Sequence, residues 1–493
     1  MSDPAGFEAD LDVAVIGAGM SGLCMAIRLR SRGIERFAVF DKSPDMGGTW
    51  HDNTYPGAGC DVPSVLYSYS FAPNPDWSRK YSPHHEIKAY FENCAERFGI
   101  VPNLRLGAAV NRAQWQEHKG HWLLTLADGQ TTTARALVSA LGQLNRPLIP
   151  EFPGRDSFSG LSFHSARWDH YCNLTGKRVA VIGNAASALQ FIPHVARQAA
   201  KLHVYQRSAN YVLKRNDRAY SAREKSIFRR FPFTQKLLRL QQYLRLEFLM
   251  YPLLRRSSDR FLPIWRSQCS KYLEAEIQNP NLRRALTPNY RMGCKRILVS
   301  DDYYGAFRRE NVELITAPIS GIGADGVISE DGIERPVDVI IYGTGFETSA
   351  MHSAVEYVGV DGQSLQDSWK AGAEAYRGVC VSGFPNFFML YGPNTNLGSN
   401  SIIFMVERQV DYVLNCIDKL LTHKLRAFDV SAARQNRYNE RMQKELADTV
   451  WVTDCKSWYK NEEGKVVNNW PRSTLYYRWH MRRPSYAEFD MRV

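Results

Sequence analysis

The chain has no run approaching the ~18 uninterrupted apolar residues that a membrane-spanning helix needs, so none is expected. It starts Met1-Ser2-Asp3-Pro4 and passes into a strand-like segment without a basic and apolar signal region. Export is therefore not expected, and the expected location is cytoplasmic. Nine cysteines form no C-x-x-C pair and no metal-ligand spacing, and an odd, scattered set suits free thiols in a reducing interior. Twelve histidines include no H-E-x-x-H, and His84-His85 reads as a solvated loop, so no metal is expected. Hydrophobic residues at 44% and charged residues at 23% are ordinary, which excludes a disordered chain. With 493 residues there is room for about three domains.

Charge is the one unusual quantity, +12 from 62 Lys+Arg and 50 Asp+Glu. Most of it is local. The stretch 214–266 holds fourteen bases and four acids, a net +10, which leaves +2 for everything else. Ile227, Phe228, Phe231, Leu237, Leu240, Leu244 and Phe248 lie among the arginines at helix-like spacing. The stretch reads as a helical subdomain with a solvated basic face. Peripheral contact with an anionic membrane is the other reading its charge allows. Nucleic acid is not expected, because no recognition motif accompanies the charge.

An internal echo carries the function. The first copy is the strand Leu11 to Ile16, then Gly17-Ala18-Gly19-Met20-Ser21-Gly22, then a helical run. Gly17 permits the tight turn, Gly19 lets backbone approach a pyrophosphate, and Gly22 allows the helix close to the strand. The second strand, Phe37 to Phe40, ends in Asp41, an acid placed to accept hydrogen bonds from ribose hydroxyls. The second copy runs from Arg178-Val179-Ala180-Val181-Ile182 into Gly183-Asn184-Ala185-Ala186-Ser187-Ala188. Its own second strand leads to Arg207, which lies 24 residues after Gly183, the offset of Asp41 from Gly17. An arginine there suits a 2′-phosphate, so one copy reads as FAD or NAD and the other as NADP. Ala185 stands where the second glycine belongs and is expected to push a pyrophosphate outward. Two sites of different type imply electron transfer between a nicotinamide and a flavin.

Between the copies, Phe158, Gly160, His164, Trp168 and Asp169 fit F-x-G-x-x-x-H-x-x-x-W-D. The segment resembles the fingerprint of type I Baeyer–Villiger monooxygenases. The resemblance extends to Gly47-Gly48-Thr49-Trp50 and Tyr55-Pro56-Gly57-Ala58-Gly59-Cys60-Asp61, similar to the family's flavin-ring segment. Gly293-Cys294-Lys295-Arg296 resembles its catalytic-arginine segment. Asp338 to Phe346 is similar to its D-x-x-x-x-A-T-G-F with Gly343 in place of alanine, and Gly392-Pro393-Asn394 to a further flavin segment. Ser457-Trp458-Tyr459 resembles its mobile-loop tryptophan motif.

The resemblance implies FAD and NADPH as cofactors, molecular oxygen as co-substrate and a small apolar ketone as substrate. It implies insertion of one oxygen atom of O2 beside the carbonyl, through a C4a-peroxyflavin, to give an ester or lactone. It further implies that Arg296 faces the peroxide, that Asp61 holds Arg296, and that Lys295 joins Arg207 and Ser208 on the 2′-phosphate. Gly48, Thr49, Trp50 and Asn394 are expected near the flavin, Ser187 near NADPH, and Trp458 over the nicotinamide. His164 and Trp168 are expected to organise the linkers between domains. A helix start after Gly392–Gly398, running from about Ile402 to Leu421, would favour negative charge on a reduced ring. Two other readings fit part of the pattern. One is an N- or S-oxygenating flavin monooxygenase, from which Trp168-Asp169 and Arg296 separate this chain. The other is a membrane-associated flavoprotein with weak turnover, motivated by Ala185 and the basic stretch.

The expected fold is α/β, with two Rossmann-like dinucleotide-binding domains, one for FAD and one for NADP, both mainly parallel. The expected order is an FAD domain at 8–146, an NADP domain at 147–337 with a helical insertion at about 214–290, and the rest of the FAD domain with a C-terminal tail at 338–493.

Overall fold

The echoed strands each seed their own parallel sheet. The computed structural model describes residues 8–347, 353–453 and 457–493, with all their side chains except those of 258–260. In the first sheet Leu11–Ile16 lies between Phe37–Phe40 and Thr131–Ser139, parallel to both, with Val15 opposite Val39 and Val138. All four residues of Phe37–Phe40 are buried, as are Val13 to Ile16. Unbroken apolar runs of this kind suit strands covered on both faces. The expectation of a mainly parallel sheet holds at this centre but fails at one side. There Val110–Gln116, His121–Leu126 and Thr131–Ser139 form an antiparallel meander. Links of a few residues, one of them carrying Asp128-Gly129, are too short for a parallel crossover.

The second sheet has five parallel strands in the order Val312–Ile315, Lys201–Tyr205, Arg178–Ile182, Val339–Tyr342, Leu161–His164. Val339–Tyr342 corrects the domain reading. The expected return to the first domain at Asp338 comes too early, because Ile341 pairs with both Val181 and Phe163 in the second sheet. A short apolar strand fits either sheet by its sequence, and only long-range pairing assigns it.

The return crossing is at 343–347, and it runs beside the outward crossing. The Leu148 N–H donates to the Gly345 carbonyl and the Glu347 N–H to the Arg146 carbonyl, both at 2.9 Å. Arg146 and Glu347 add an ion pair at 3.2 Å. The His164 ring, buried at the end of its strand, meets the Phe346 ring at 5.7 Å, so this histidine braces the paired linkers. Trp168 instead packs on Phe163 and Phe191, each at 5.3 Å, inside the second core.

The basic stretch is helical, as expected. Ala222–Arg230 opens on a capping box from Ser221 and Glu224, and Pro232 starts the helix Pro232–Leu249. Leu262–Glu276 and Pro280–Ala285 follow. Pro232–Leu249 reaches across to the first domain. Arg239 donates to the Val65 and Ser68 carbonyls at 2.8 and 2.9 Å, and Glu247 accepts from the Thr474 N–H at 2.7 Å. Gln235, Tyr243 and Glu247 are its buried residues, whereas Phe233, Leu237, Leu240 and Phe248 are exposed. A face that is solvated and merely basic is therefore not what the fold presents, because exposed apolar residues stand among the bases while Leu238 and Leu246 pack inward beside the bonded polar residues.

Three further expectations meet the structure here. His84 and His85 open the helix His84–Arg97 instead of lying in a loop. Seven cysteines are free thiols, but Cys294 is disulfide-bonded, since spacing along the chain does not say which sulfurs meet in space. Cys455 lies outside the described residues. The C-terminal tail forms the helix Thr474–His480 and the strand Phe489–Arg492, which pairs antiparallel with Ala427–Val430.

Candidate active site

Each glycine-rich turn delivers an open helix end. Gly19 is the N-cap of Met20–Ser31 and Ala185 that of Ala186–Gln198, with nearly the same backbone (φ −81°, ψ −173° and φ −76°, ψ −166°). Neither helix has a side-chain cap or an acid in its first turn, so its free N–H groups and positive end suit a pyrophosphate. The first turn fits a dinucleotide closely. A Cβ on Gly22 would lie 1.8 Å from the Gly17 carbonyl oxygen, and one on Gly48 would lie 2.9 Å from Gly19 Cα. Only glycine lets these backbone segments approach so closely. Ala185 adopts the shared cap geometry without strain, so its methyl group affects ligand approach and not the fold.

Asp41, at the end of Phe37–Phe40, accepts the Ala18 N–H at 2.6 Å and the Ser43 N–H at 2.8 Å. A carboxylate accepts about four hydrogen bonds, which leaves capacity for ribose hydroxyls. Thr49 is exposed, and Trp50 beside it is buried with its indole N–H on the Tyr67 hydroxyl at 3.2 Å.

On the second turn, Gly183 leads to Asn184, whose amide donates to Gln206 at 2.8 Å and to the Ser208 carbonyl at 3.0 Å. That arrangement fixes the segment carrying Arg207 and Ser208. Lys295 donates to the Ser208 hydroxyl at 2.7 Å and sits 4.7 Å from the Tyr290 ring centroid. Its pKa is lowered, first by burial and then by the charge of nearby Arg207. Two cations and a hydroxyl converging without a carboxylate are suited to a dianionic phosphate.

Lys295 lies in the bend that follows Gly293, and Arg296 comes next on the approach to the strand Leu298–Ser300. Lys295 turns to the nucleotide clamp and Arg296 to the first domain. There Arg296 Nε and Nη2 each donate to one carboxylate oxygen of Asp61, both at 2.8 Å. The remaining arm, Nη1, reaches the Leu397 carbonyl at 3.4 Å. The side chains keep 32% and 26% of their surface exposed, so the pair lines the cleft instead of being sealed inside the core. The Asp61 charge, followed by its hydrogen bonds, outweighs burial and raises the Arg296 pKa. For Asp61, burial acts upward, and the Arg296 charge and hydrogen bonds bring the carboxyl below its ordinary range. The pair stays ionised at neutral pH.

One expected flavin neighbour, Asn394, has its amide already engaged. Asn394 is buried and spends both amide protons on the carbonyls of Val466 and Asn469, at 3.0 and 3.2 Å. It ties its loop to the C-terminal segment, and its amide is not an open donor. Trp458 is part-exposed against the Tyr459 ring at 4.6 Å, and its carbonyl accepts from Asn468 at 2.8 Å. Ser187 approaches the Tyr55 hydroxyl.

Sequence reasoning missed Gln190, one turn beyond the second glycine-rich motif. It accepts the Tyr55 hydroxyl at 2.9 Å and donates to the Gly59 carbonyl at 2.9 Å, clasping the loop before Asp61 to the second domain. It also gave no role to half-buried Tyr391 and buried Tyr459, phenols close enough to act on the Arg296 charge. No motif marks Gln190 or Tyr391, and Tyr459 stands in the Ser457-Trp458-Tyr459 motif without a role of its own. Only their position one turn from Ser187, or beside Trp458 and Gly392, could have drawn attention to them.

The flavin-binding monooxygenase-like family matches residues 10–353. A Baeyer-Villiger monooxygenase of Pseudomonas aeruginosa is 42% identical over 473 residues, covering 94% of this chain and 88% of the relative. Among solved structures, an oxidised steroid monooxygenase bound to NADP superposes with a TM-score of 0.85 at 29% identity, over 98% of this chain and 99% of the other. OTEMO in complex with FAD and NADP superposes with a TM-score of 0.87 at 26% identity, over 98% of this chain and 100% of the other.

Proposed function

The chain belongs to the flavin-binding monooxygenase-like family, and we propose that its Baeyer–Villiger chemistry is carried by Arg296, which Asp61 holds where the two nucleotide domains meet. It is an FAD- and NADPH-dependent monooxygenase that inserts one oxygen atom of O2 beside a ketone carbonyl to give an ester or lactone. We assign FAD to the first turn and its surroundings, with Gly17, Gly19, Gly22, Asp41, Gly48, Thr49 and Trp50. We assign NADPH to the second, with Gly183, Ser187, Arg207, Ser208 and Lys295. When bound, the flavin supplies hydride acceptance and the activation of oxygen.

The chain's own task is electrostatic. Arg296 stays protonated throughout, so it stabilises negative oxygen without delivering a proton to it. It faces both the attacking oxygen and the alkoxide that forms on the former carbonyl carbon. Asp61 takes two of its five N–H donors and fixes the plane of the guanidinium, Nη1 reaches the Leu397 carbonyl, and the N–H groups left over would serve the substrate. The uncapped start of Ile402–Thr422 has no acid in its first turn, and its positive end favours charge on a reduced ring. Trp458 covers the nicotinamide side.

A small apolar ketone fits surroundings in which Leu397 and Leu254 are buried, Leu397 with its carbonyl on Arg296 and Leu254 beside Gly398. Peripheral contact with an anionic membrane through 214–266 belongs to the same reading, since such a ketone partitions into lipid.

The observation that carries this proposal is the bidentate pair of Arg296 and Asp61. Its test is Arg296→Ala, reduced anaerobically by NADPH and then exposed to oxygen with cyclic, linear and aryl ketones. Reduction is expected to proceed and ester to be absent. Ester at the parent rate would show that another group does the work.

A further inference from the structure

The helix Pro232–Leu249 carries apolar residues on both sides: Leu238 and Leu246 pack against the core, and a second set faces out. Gln235, Arg239, Tyr243 and Glu247, spaced four apart, point into the protein, where each is bonded: Gln235 to the Asn74 carbonyl, Arg239 to the Val65 and Ser68 carbonyls, Tyr243 to Thr474, and Glu247 to Thr474 and Asn400. These bonds fix which way the helix is rolled. Phe233, Leu237, Leu240, Leu244 and Phe248 consequently form a narrow outward stripe, with Phe233, Leu237 and Phe248 exposed by 65%, 63% and 62%. Phe231 and Ile227 extend it toward the preceding helix.

A second element is tied to this helix. The Leu475 N–H donates to Glu247 at 3.3 Å, and on the helix Thr474–His480 Leu475 and Trp479 are exposed, the latter by 69%. An exposed indole on an element tied to an apolar stripe is the residue usage of a membrane–water interface. Isolated apolar residues on a surface need no explanation, but a contiguous set does.

Charge selects the occupant. Arg223, Arg230, Lys236 and Arg245 are exposed around the stripe and form no ion pair with a described residue, and Arg478, Arg482 and Arg483 add exposed cations beside Trp479. A second copy of this chain would bring an equal positive rim against the first. An anionic bilayer surface attracts that rim and admits the apolar stripe. No described helix is long and apolar enough to cross a membrane, so the contact is peripheral.

The face also leads to the active site. The chain runs from Phe248 and Leu249 to Leu253 and Leu254, both buried. Leu253 backs Gly293 at the start of the Lys295-Arg296 segment, and Leu254 lies 3.4 Å from a Cβ built on Gly398, next to the Leu397 carbonyl that faces Arg296. We propose that Pro232–Leu249 and Thr474–His480 together form an anionic-lipid docking face, and that apolar ketones reach the Arg296 cleft from the lipid along this helix. The docking part stands alone; the cargo rests on the functional reading above.

Flotation of the FAD-loaded full chain tests it, with phosphatidylcholine vesicles containing phosphatidylserine and with phosphatidylcholine alone. Flotation with the anionic vesicles, weakened by salt and absent with the neutral ones, is the expected result. Leu240→Glu combined with Phe248→Glu is expected to lower the bound fraction at least about tenfold. The same variant should keep the parent melting temperature and rate of flavin reduction. Three results overturn the proposal: protein remaining at the bottom with anionic vesicles, flotation unaffected by the two glutamates, or a solution dimer that the double variant converts to monomer. Flotation measures binding and not turnover. A protein that floats but makes no ester refutes the functional reading and leaves the docking face intact.

Discussion

Replacing Asp61 with asparagine keeps the side-chain volume but removes the negative charge and one of the two acceptors beneath Arg296. The two bonds, both at 2.8 Å, join side chains that are 32% and 26% exposed. Such a pair lies between an exposed one, worth up to about 1 kcal/mol, and a sealed one, whose rupture costs about 3–5 kcal/mol. About 2 kcal/mol is therefore expected, roughly a thirtyfold loss in occupancy of the oriented guanidinium. NADPH reduces the flavin from the other domain, so the anaerobic reduction rate should stay near the parent value. Ester formed per NADPH consumed should fall about ten- to a hundredfold, with hydrogen peroxide making up the difference. The variant should also lose an acid limb of stability. The Asp61 carboxyl is held below its ordinary pKa of ~3.9 in the folded protein, so its contribution is complete above that value. It is lost as pH falls through the lower folded value, and asparagine cannot show that loss. Parent ester yield in Asp61→Asn, with an unchanged acid limb, would refute the positioning role.

Lys295→Met should raise the KM for NADPH by about ten- to a hundredfold, from the loss of one charge-assisted phosphate bond, and leave NADH nearly unaffected. An unchanged NADPH-to-NADH ratio would move the clamp elsewhere. Gly22→Ala should give no soluble flavoprotein, because its Cβ would lie 1.8 Å from the Gly17 oxygen; a normal flavin spectrum in that variant would contradict the turn geometry. Burial lowers the His164 pKa to about 4, whereas the unfolded chain titrates near ~6.5. The unfolded state then binds more protons in that interval, so stability should fall as pH drops from ~6.5 to about 4. His164→Gln should flatten that part of a melting-temperature profile, and an unaltered profile would assign the loss to other groups.

The two glycine-rich turns, Asp41, Arg207 and the Arg296 segment were legible because each motif encodes its own local backbone. Tight turns and uncapped helix starts depend on neighbours along the chain. The helix Ile402–Thr422 was legible for the same reason, being long and periodic. Asn394 shows the limit. Its motif was readable, but its two donors go to Val466 and Asn469, over seventy residues away. Gln190 shows the converse, a plain helical residue made important by the loop it clasps.

By itself the sequence determined two glycine-rich nucleotide-binding turns, their order, the excess of positive charge in 214–266 and Arg296 as the cation proposed for catalysis. Tertiary structure decided that Val339–Tyr342 joins the second sheet, that Asp61 meets Arg296 across 235 residues, and which side of Pro232–Leu249 faces out. The reason is common to all three. Periodicity says that a strand or helix has two kinds of face, but burial and hydrogen bonding to distant partners choose which face turns inward. On Pro232–Leu249 the bonds of Arg239 and Glu247 made that choice.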